Sequence, residues 1–203
     1  SDFIRESATP ITIALQGGWG TGKTSFMNLI NRQLKPVKQL GEKSNNSNFV
    51  PSNQAPVITV SFNTWQYTQF NLEQNLGISF LSYIINKLTE ELDENEGNFK
   101  KEAGKAIKGI AKFGLNVILS QGGLQAVNFD GTDSESVTDP AKAIEILRKT
   151  LEDVVYKLTE KYSVGDKRAR LVIFIDDLDR LKPAIAVNLL EVIKLFLDIE
   201  GCI

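Results

Sequence analysis

Ile11-Thr12-Ile13-Ala14-Leu15-Gln16-Gly17-Gly18-Trp19-Gly20-Thr21-Gly22-Lys23-Thr24 joins a short apolar run to a glycine-rich octapeptide of the form GxxxxGK[ST]. The residue types follow from the chemistry of phosphate. Gly17 and Gly22, helped by Gly18 and Gly20, let the backbone bend tightly and turn its N–H groups inward around anionic oxygens. Lys23 is a point charge able to reach terminal phosphates, and Thr24 offers a hydroxyl to Mg2+. Trp19, Thr21 and Ser25 complete the candidate phosphate-binding stretch. The loop also opens a helix predicted from Lys23 to about Leu34, whose positive end favours anions. A lone octapeptide of this kind arises by chance, but a strand before it (residues 11 to 15) and a helix after it supply the confirming context. The stretch therefore predicts an α/β fold and a nucleoside triphosphate ligand.

A second signature lies far downstream. Leu171-Val172-Ile173-Phe174-Ile175 is a continuous apolar run, the mark of a strand buried on both faces of a parallel sheet. It ends in Asp176-Asp177-Leu178-Asp179-Arg180, and a hydrophobic strand ending in an acid is the partner signature of P-loop NTPases. Asp176, at the strand's carboxyl end, is the candidate Mg2+ ligand together with Thr24. Asp177 is the candidate catalytic group that orients or deprotonates the attacking water, with Lys23 as its electrostatic partner on the phosphates. Asp179 and Arg180 read first as a local ion pair, ahead of a helix cap or a contact to a neighbouring subunit.

The rest of the chain fits this frame. Its 203 residues suit one α/β domain with a substantial core. A net charge of −2 gives no overall basic excess for nucleic acid. The single cysteine, Cys202, allows no internal disulfide, and the absence of histidine excludes a Ser-His-Asp triad and any His-based metal site. No run of about 18 apolar residues reads as a membrane span, so the chain is read as soluble and cytoplasmic. It opens at Ser1 and stops at Ile203 just after a long helix, and both ends read as cuts through a larger protein.

Val57-Ile58-Thr59-Val60-Ser61-Phe62 reads as a second core strand, preceded by a polar excursion over residues 41 to 53 and followed by an aromatic turn, Asn63 to Tyr67. Leu72, Leu76, Phe80, Ile84 and Leu88 are spaced for a helix over residues 72 to 94. Further helices are predicted over residues 141 to 162 and 183 to 197. Residues 95 to 140 read as a surface insertion, rich in Gly and Lys and then acidic. Strands alternating with helices argue for a parallel sheet with helices on both faces.

Taken together, Gly17 to Ser25, Phe62-Asn63-Thr64-Trp65-Gln66 and Phe174 to Arg180 resemble the KAP family of P-loop NTPases. The Trp inside the loop, the Asn-x-Trp after the second strand and the Asp-Asp-Leu-Asp-Arg string occur in order, and the resemblance spans nearly the whole chain from about residue 11. It implies kinship with STAND-type signalling ATPases, in which nucleotide state governs assembly, with frequent membrane association and links to anti-phage defence. Lys23, Thr24, Asp176 and Asp177 inherit the nucleotide and Mg2+ roles. Trp19 is expected to shield the loop rather than stack on the nucleotide. Many relatives carry transmembrane helices between the signatures; here only Phe113 to Leu119 is apolar, too short to span. Lys105, Lys108 and Lys112 ahead of it would suit an anionic surface, a reading less favoured than a plain surface insertion. The family topology also puts the next strand between the two signature strands, so residues 1–203 are read as a partial domain truncated before its central strand.

The expectation is Mg2+-dependent ATP binding and hydrolysis that switches a larger protein. Its partners are then ATP and the other domains of that protein; a homo-oligomer stays open and nucleic acid is not expected. No guanine-reading motif is apparent, which favours ATP over GTP. Two alternatives are a non-hydrolysing nucleotide-gated scaffold and a P-loop small-molecule kinase. The fragment alone is expected to hydrolyse poorly.

Overall fold

A computed structural model of the chain describes residues 2–41, 54–68, 76–92, 101–102, 104–106 and 140–203. Its centre is a three-stranded parallel sheet in the order β1 (Lys38–Gln39), β2 (Val57–Asn63), β3 (Arg170–Asp176). β2 and β3 pair over their full length, from Val57 opposite Arg170 to Asn63 opposite Asp176. This register brings both carboxyl ends to one rim. The two-residue β1, which the sequence pattern does not announce, pairs Lys38 with Ile58 and Gln39 with Thr59.

Strand alternation sorts the side chains onto two faces. Ile58, Val60, Phe62 and Leu171 enter the larger core with Phe80, Ile84, Leu147, Leu151 and Leu189. That face is covered by α4 (Leu76–Thr89), α5 (Pro140–Lys161) and α6 (Pro183–Leu197). Gly77 lets α4 approach α6 closely, because a Cβ there would come within 2.7 Å of Val192 Cγ2. On the opposite face Val57 and Val172 pack with Ile4 of α1 (Asp2–Glu6) and Leu34 of α2 (Lys23–Leu34). Phe80 is fully buried and meets Phe62 edge to face, with ring centroids 5.0 Å apart; burial of a side chain this large contributes about 1.5–3 kcal/mol. Helices on both faces of a parallel sheet are the predicted architecture.

Arginines fasten the amino-terminal segment to this frame. The buried Arg5 guanidinium donates to the carbonyls of Ala55 and Leu34. Arg170, at the start of β3, donates to Ile4 O at 2.9 Å and also to Ser7 O. The segment leading to the glycine-rich loop is thereby held against the sheet.

Predicted boundaries hold for α2 and α6 and lie within a residue for β2 and α5. The aromatic turn contains the short helix α3 (Trp65–Thr68). The helix expected over residues 72 to 94 is described from Leu76 to Thr89. Most of the 41–53 excursion and of the 95–140 insertion, including Lys108, Lys112 and the Phe113–Leu119 patch, lies outside the described residues. Among the described residues no helix is long and apolar enough to cross a membrane.

The expected first strand departs from its prediction. Residues 11 to 15 take part in no strand of the sheet, and residues 12 to 15 are exposed. A strand exists only through its ladder of backbone hydrogen bonds. Gly201–Ile203 enter between residues 11–15 and β3. Leu171 N donates to Gly201 O at 2.8 Å, Ile203 N to Leu171 O at 2.8 Å and Ile173 N to Ile203 O at 2.8 Å, while Ile11 N donates to Cys202 O at 3.3 Å on the other side. Gly201–Ile203 thus occupy the position in which the resemblance places the strand after the second signature.

Candidate functional site: the rim where the glycine-rich loop meets the acid cluster

An apolar groove of about 540 Å³ runs between residues 11–15 and β3 and ends in a polar mouth formed by Gly17, Lys23, Asp176, Asp177 and Asp179. The loop supplies one side of this mouth. Gly20 and Gly22 adopt φ of 76° and 85°, left-handed values that side chains with a Cβ resist. At Gly17 the constraint is space, since a Cβ would meet Thr21 Oγ1 at 2.7 Å. Thr21 Oγ1 donates to Gly18 O at 2.8 Å and closes the bend. Gly22 then starts α2 with no side-chain cap and no acid in the first turn, so the helix's positive end keeps its affinity for an external anion.

Lys23 spans the mouth. Its Nζ donates to Gly17 O at 3.0 Å and Gly18 O at 3.1 Å and pairs with Asp179 Oδ2 at 2.9 Å. An ammonium has three N–H donors, so all three are engaged. The Lys23 hydrogen bond holds the Asp179 carboxyl below the usual carboxylate range. Thr24 and Ser25 lie exposed in the first turn of α2.

The other side is built by β3 and the turn after it. Asp176 Oδ1 accepts from Asp177 N at 2.8 Å. Asp177 then takes φ 62° and ψ 25°, a left-handed conformation that Asp and Asn tolerate better than other side chains. It swings its carboxylate to two donors, Asn63 Nδ2 at 3.0 Å and Arg180 Nε at 2.8 Å. The one-turn 3-10 helix Leu178–Arg180 brings Arg180 back toward Asp177. The expected Asp179–Arg180 pair does not form: Arg180 pairs locally with Asp177, and Asp179 pairs with Lys23 from the distant loop.

Three site features were not assigned from sequence. Asn63 holds Asp177. Thr64, fully buried, clamps the end of β3 by donating N–H at 3.2 Å and Oγ1 at 3.0 Å to Asp176 O. Trp65 lies beneath Arg180, whose guanidinium carbon sits 5.3 Å from the ring centroid. One signal could have found them: parallel strands present their carboxyl ends on the same rim, so the residues after β2 must meet those after β3. The shielding expected of Trp19 is corrected. Its side chain is 86% exposed, and a ring that buries so little of its surface among the described residues does not shield the loop.

A metal ion or nucleotide would find donors of suitable chemistry here. Among the described residues no group of three or more His, Cys, Asp or Glu forms a self-sufficient metal cage. Mg2+ commonly keeps waters and is held by one or two protein oxygens plus substrate phosphates. Asp176 and Thr24 supply oxygens of that kind.

The family model described as "KAP family P-loop domain" matches residues 1–203. The chain is also similar to a protein of Methanocaldococcus jannaschii named only as uncharacterized, with 27% identity over 171 residues, 71% of this chain and 86% of that protein. No solved structure matches it significantly. With its glycine-rich loop, its acid-tipped parallel strand and a family match over its whole length, the chain belongs to the KAP family of P-loop domains.

Proposed function

We propose that this domain binds ATP with Mg2+ and hydrolyses it, acting as a nucleotide switch within a larger signalling or anti-phage defence protein. The observation that supports it most directly is the meeting of Lys23 with the acid-rich turn after β3 at one mouth. Lys23 and the loop amides bind the β and γ phosphates, a placement that draws on the helix's positive end. Thr24 and Asp176 would hold Mg2+, which supplies neutralisation of charge on the phosphate oxygens. Asp177 orients a water and accepts its proton as the water oxygen bonds to the γ phosphorus. The bond from that phosphorus to the bridging oxygen breaks, and ADP and inorganic phosphate leave.

Lys23→Ala should abolish ATP binding or weaken it severely in a direct binding titration. Unchanged affinity would overturn the site assignment. The scaffold reading is the second choice; on it the Asn63 and Arg180 contacts would withhold Asp177 from water instead of aiming it. Tight ATP–Mg2+ binding with no phosphate release, alone or with any partner, would select it. Phosphate appearing on an added acceptor instead of in solution would select a kinase.

A further inference from the structure

Asn63, Trp65, Asp177 and Arg180 close a ring across the rim of the sheet. The ring begins at the carboxyl end of β2, where Asn63 stands opposite Asp176 in the register. Asn63 Oδ1 accepts from Trp65 N at 2.9 Å. A backbone N–H is donor only, so the oxygen of the Asn63 amide must face it and the NH2 must face away. That NH2 points to Asp177 Oδ2 at 3.0 Å, and the orientation of the amide is therefore settled by chemistry. Arg180 Nε takes the other oxygen, Oδ1, at 2.8 Å. The Arg180 guanidinium in turn lies against the Trp65 ring, a contact that favours one geometry of a long side chain.

Two donors on different oxygens, arriving from different elements, fix both torsions of the Asp177 side chain. Each carboxylate oxygen has about two lone-pair sites, so each keeps one for another donor. The backbone beneath is fixed as well, because Arg180 N donates to Asp177 O at 3.1 Å and closes the 3-10 turn. The carboxylate side chain is 13% exposed, mostly buried yet still reached by solvent.

We propose that Asn63 and Arg180 are positioning residues that aim the Asp177 carboxylate at the attacking water, with Trp65 as the platform that holds Arg180. The proposal rests on the reading of Asp177 as the water-orienting group. Asn63 touches no phosphate or water in this scheme; it acts through Asp177. The Asn-x-Trp turn after β2 and the Asp-x-x-Arg turn after β3 are then two halves of one device. Its geometry depends on the β2–β3 register, since a slip by one residue would turn Asn63 to the other face.

The test is steady-state phosphate release from ATP–Mg2+ by the full-length protein, alongside direct ATP binding. Asp177→Asn, which keeps the left-handed backbone, is the reference variant, and loss of a general base lowers kcat by about 10²–10⁴-fold. Asn63→Ala and Arg180→Ala should each lower kcat roughly tenfold or more, as expected where a catalytic group loses its alignment, with the ATP dissociation constant changed less than about twofold. Added to Asp177→Asn, either change should cost nothing further, because the group it positions is already gone. Arg180→Lys should restore only part of kcat, since an ammonium lacks the planar fork. Should Asn63→Ala fail to fold, Arg180→Ala carries the test alone, its side chain being 41% exposed. Wild-type kcat in both alanine variants beside an inactive Asp177→Asn would overturn the positioning role while leaving Asp177 its own. A rise in kcat would overturn it too, by showing a restraint instead of an aim. Wild-type turnover in Asp177→Asn would instead remove the underlying assignment.

Discussion

Asp179→Asn should tighten ATP binding. Lys23 Nζ is held by Gly17 O, Gly18 O and Asp179 Oδ2, so a phosphate must displace at least one of them. Of the three, only Asp179 carries a full charge. Asparagine keeps the shape and removes the charge, which isolates the electrostatic part. The pair is partly solvated, with side-chain exposures of 22% for Lys23 and 45% for Asp179. Exposed pairs of this kind contribute about 0.2–1 kcal/mol. If that free energy opposes phosphate binding, its removal lowers the dissociation constant about 1.4- to 5-fold, at 1.4 kcal/mol per factor of ten. Screening should shrink the difference between variant and wild type as salt rises from about 0.05 to 0.5 M. Lys23 lowers the Asp179 carboxyl from a value already well below neutrality, so the tether is intact at neutral pH. A depressed carboxyl contributes fully above its unfolded value and loses its contribution as pH falls through the lowered folded value. The affinity gain should therefore persist across the neutral range. Isothermal titration at pH 7 with ATP–Mg2+ reads it directly. Weaker binding in Asp179→Asn would refute the reasoning and make Asp179 part of the phosphate or metal site; an unchanged constant would show that the pair opposes nothing.

Thr59→Val should raise stability by about 1 kcal/mol, because the fully buried Thr59 Oγ1 finds no hydrogen-bond partner among the described residues and valine keeps its shape. Thermal unfolding should show a midpoint higher by about 2–4 °C, and a lower midpoint would mean that the hydroxyl has a partner. Chelating Mg2+ with EDTA should weaken ATP binding by roughly tenfold or more, about 1.4 kcal/mol, in the same titration; equal affinity without the metal would remove Thr24 and Asp176 from the assignment.

Much of the frame was legible because it depends on short-range pattern. Val57 to Phe62 announces itself as a buried strand by β-branched content, Leu171 to Ile175 by its continuous apolar run, and α2 by the glycine-rich loop that opens it. The 11–15 segment failed the same test for a physical reason. Ile11-Thr12-Ile13 has strand composition, but strand status depends on a partner's ladder, which no local pattern encodes. Residues 42 to 53 and 107 to 139 lie outside what the structure describes, and the readings made there stand only as expectations. At the site, the loop and Asp176–Asp177 could be singled out in the sequence because phosphate and Mg2+ chemistry calls for such residue types, and the structure brings them to one mouth. The pairing of Asn63 with Asp177, 114 positions apart, could not be read there. It required the β2–β3 register, although two strands of equal length ending on one rim already limit which residues can meet.

The charge arrangement at the mouth bears on how the two halves of the site communicate. Two cations, Lys23 and Arg180, stand among three carboxylates, Asp176, Asp177 and Asp179, and each cation has taken a different acid. The two ion pairs share the short turn from Asp177 to Arg180, one on each of its two acids. A phosphate competes directly for Lys23, because the loop amides and the helix terminus draw it to that end. It has no such claim on Arg180, which lies over Trp65 on the far side of the turn. On the proposed reading, arrival of nucleotide frees Asp179 while the Asp177 clamp stays closed, and the released acid is only two residues from the group that activates water. Asp179 is then placed to report occupancy of the loop to the turn that holds Asp177. A second, more negative carboxylate-rich site would repel the triphosphate outright. Here the excess of acid over base is small, and a divalent cation on Asp176 would reverse it. On the proposed reading the electrostatics favour nucleotide and metal arriving together, which is the condition the proposed switch needs if neither alone is to trip it.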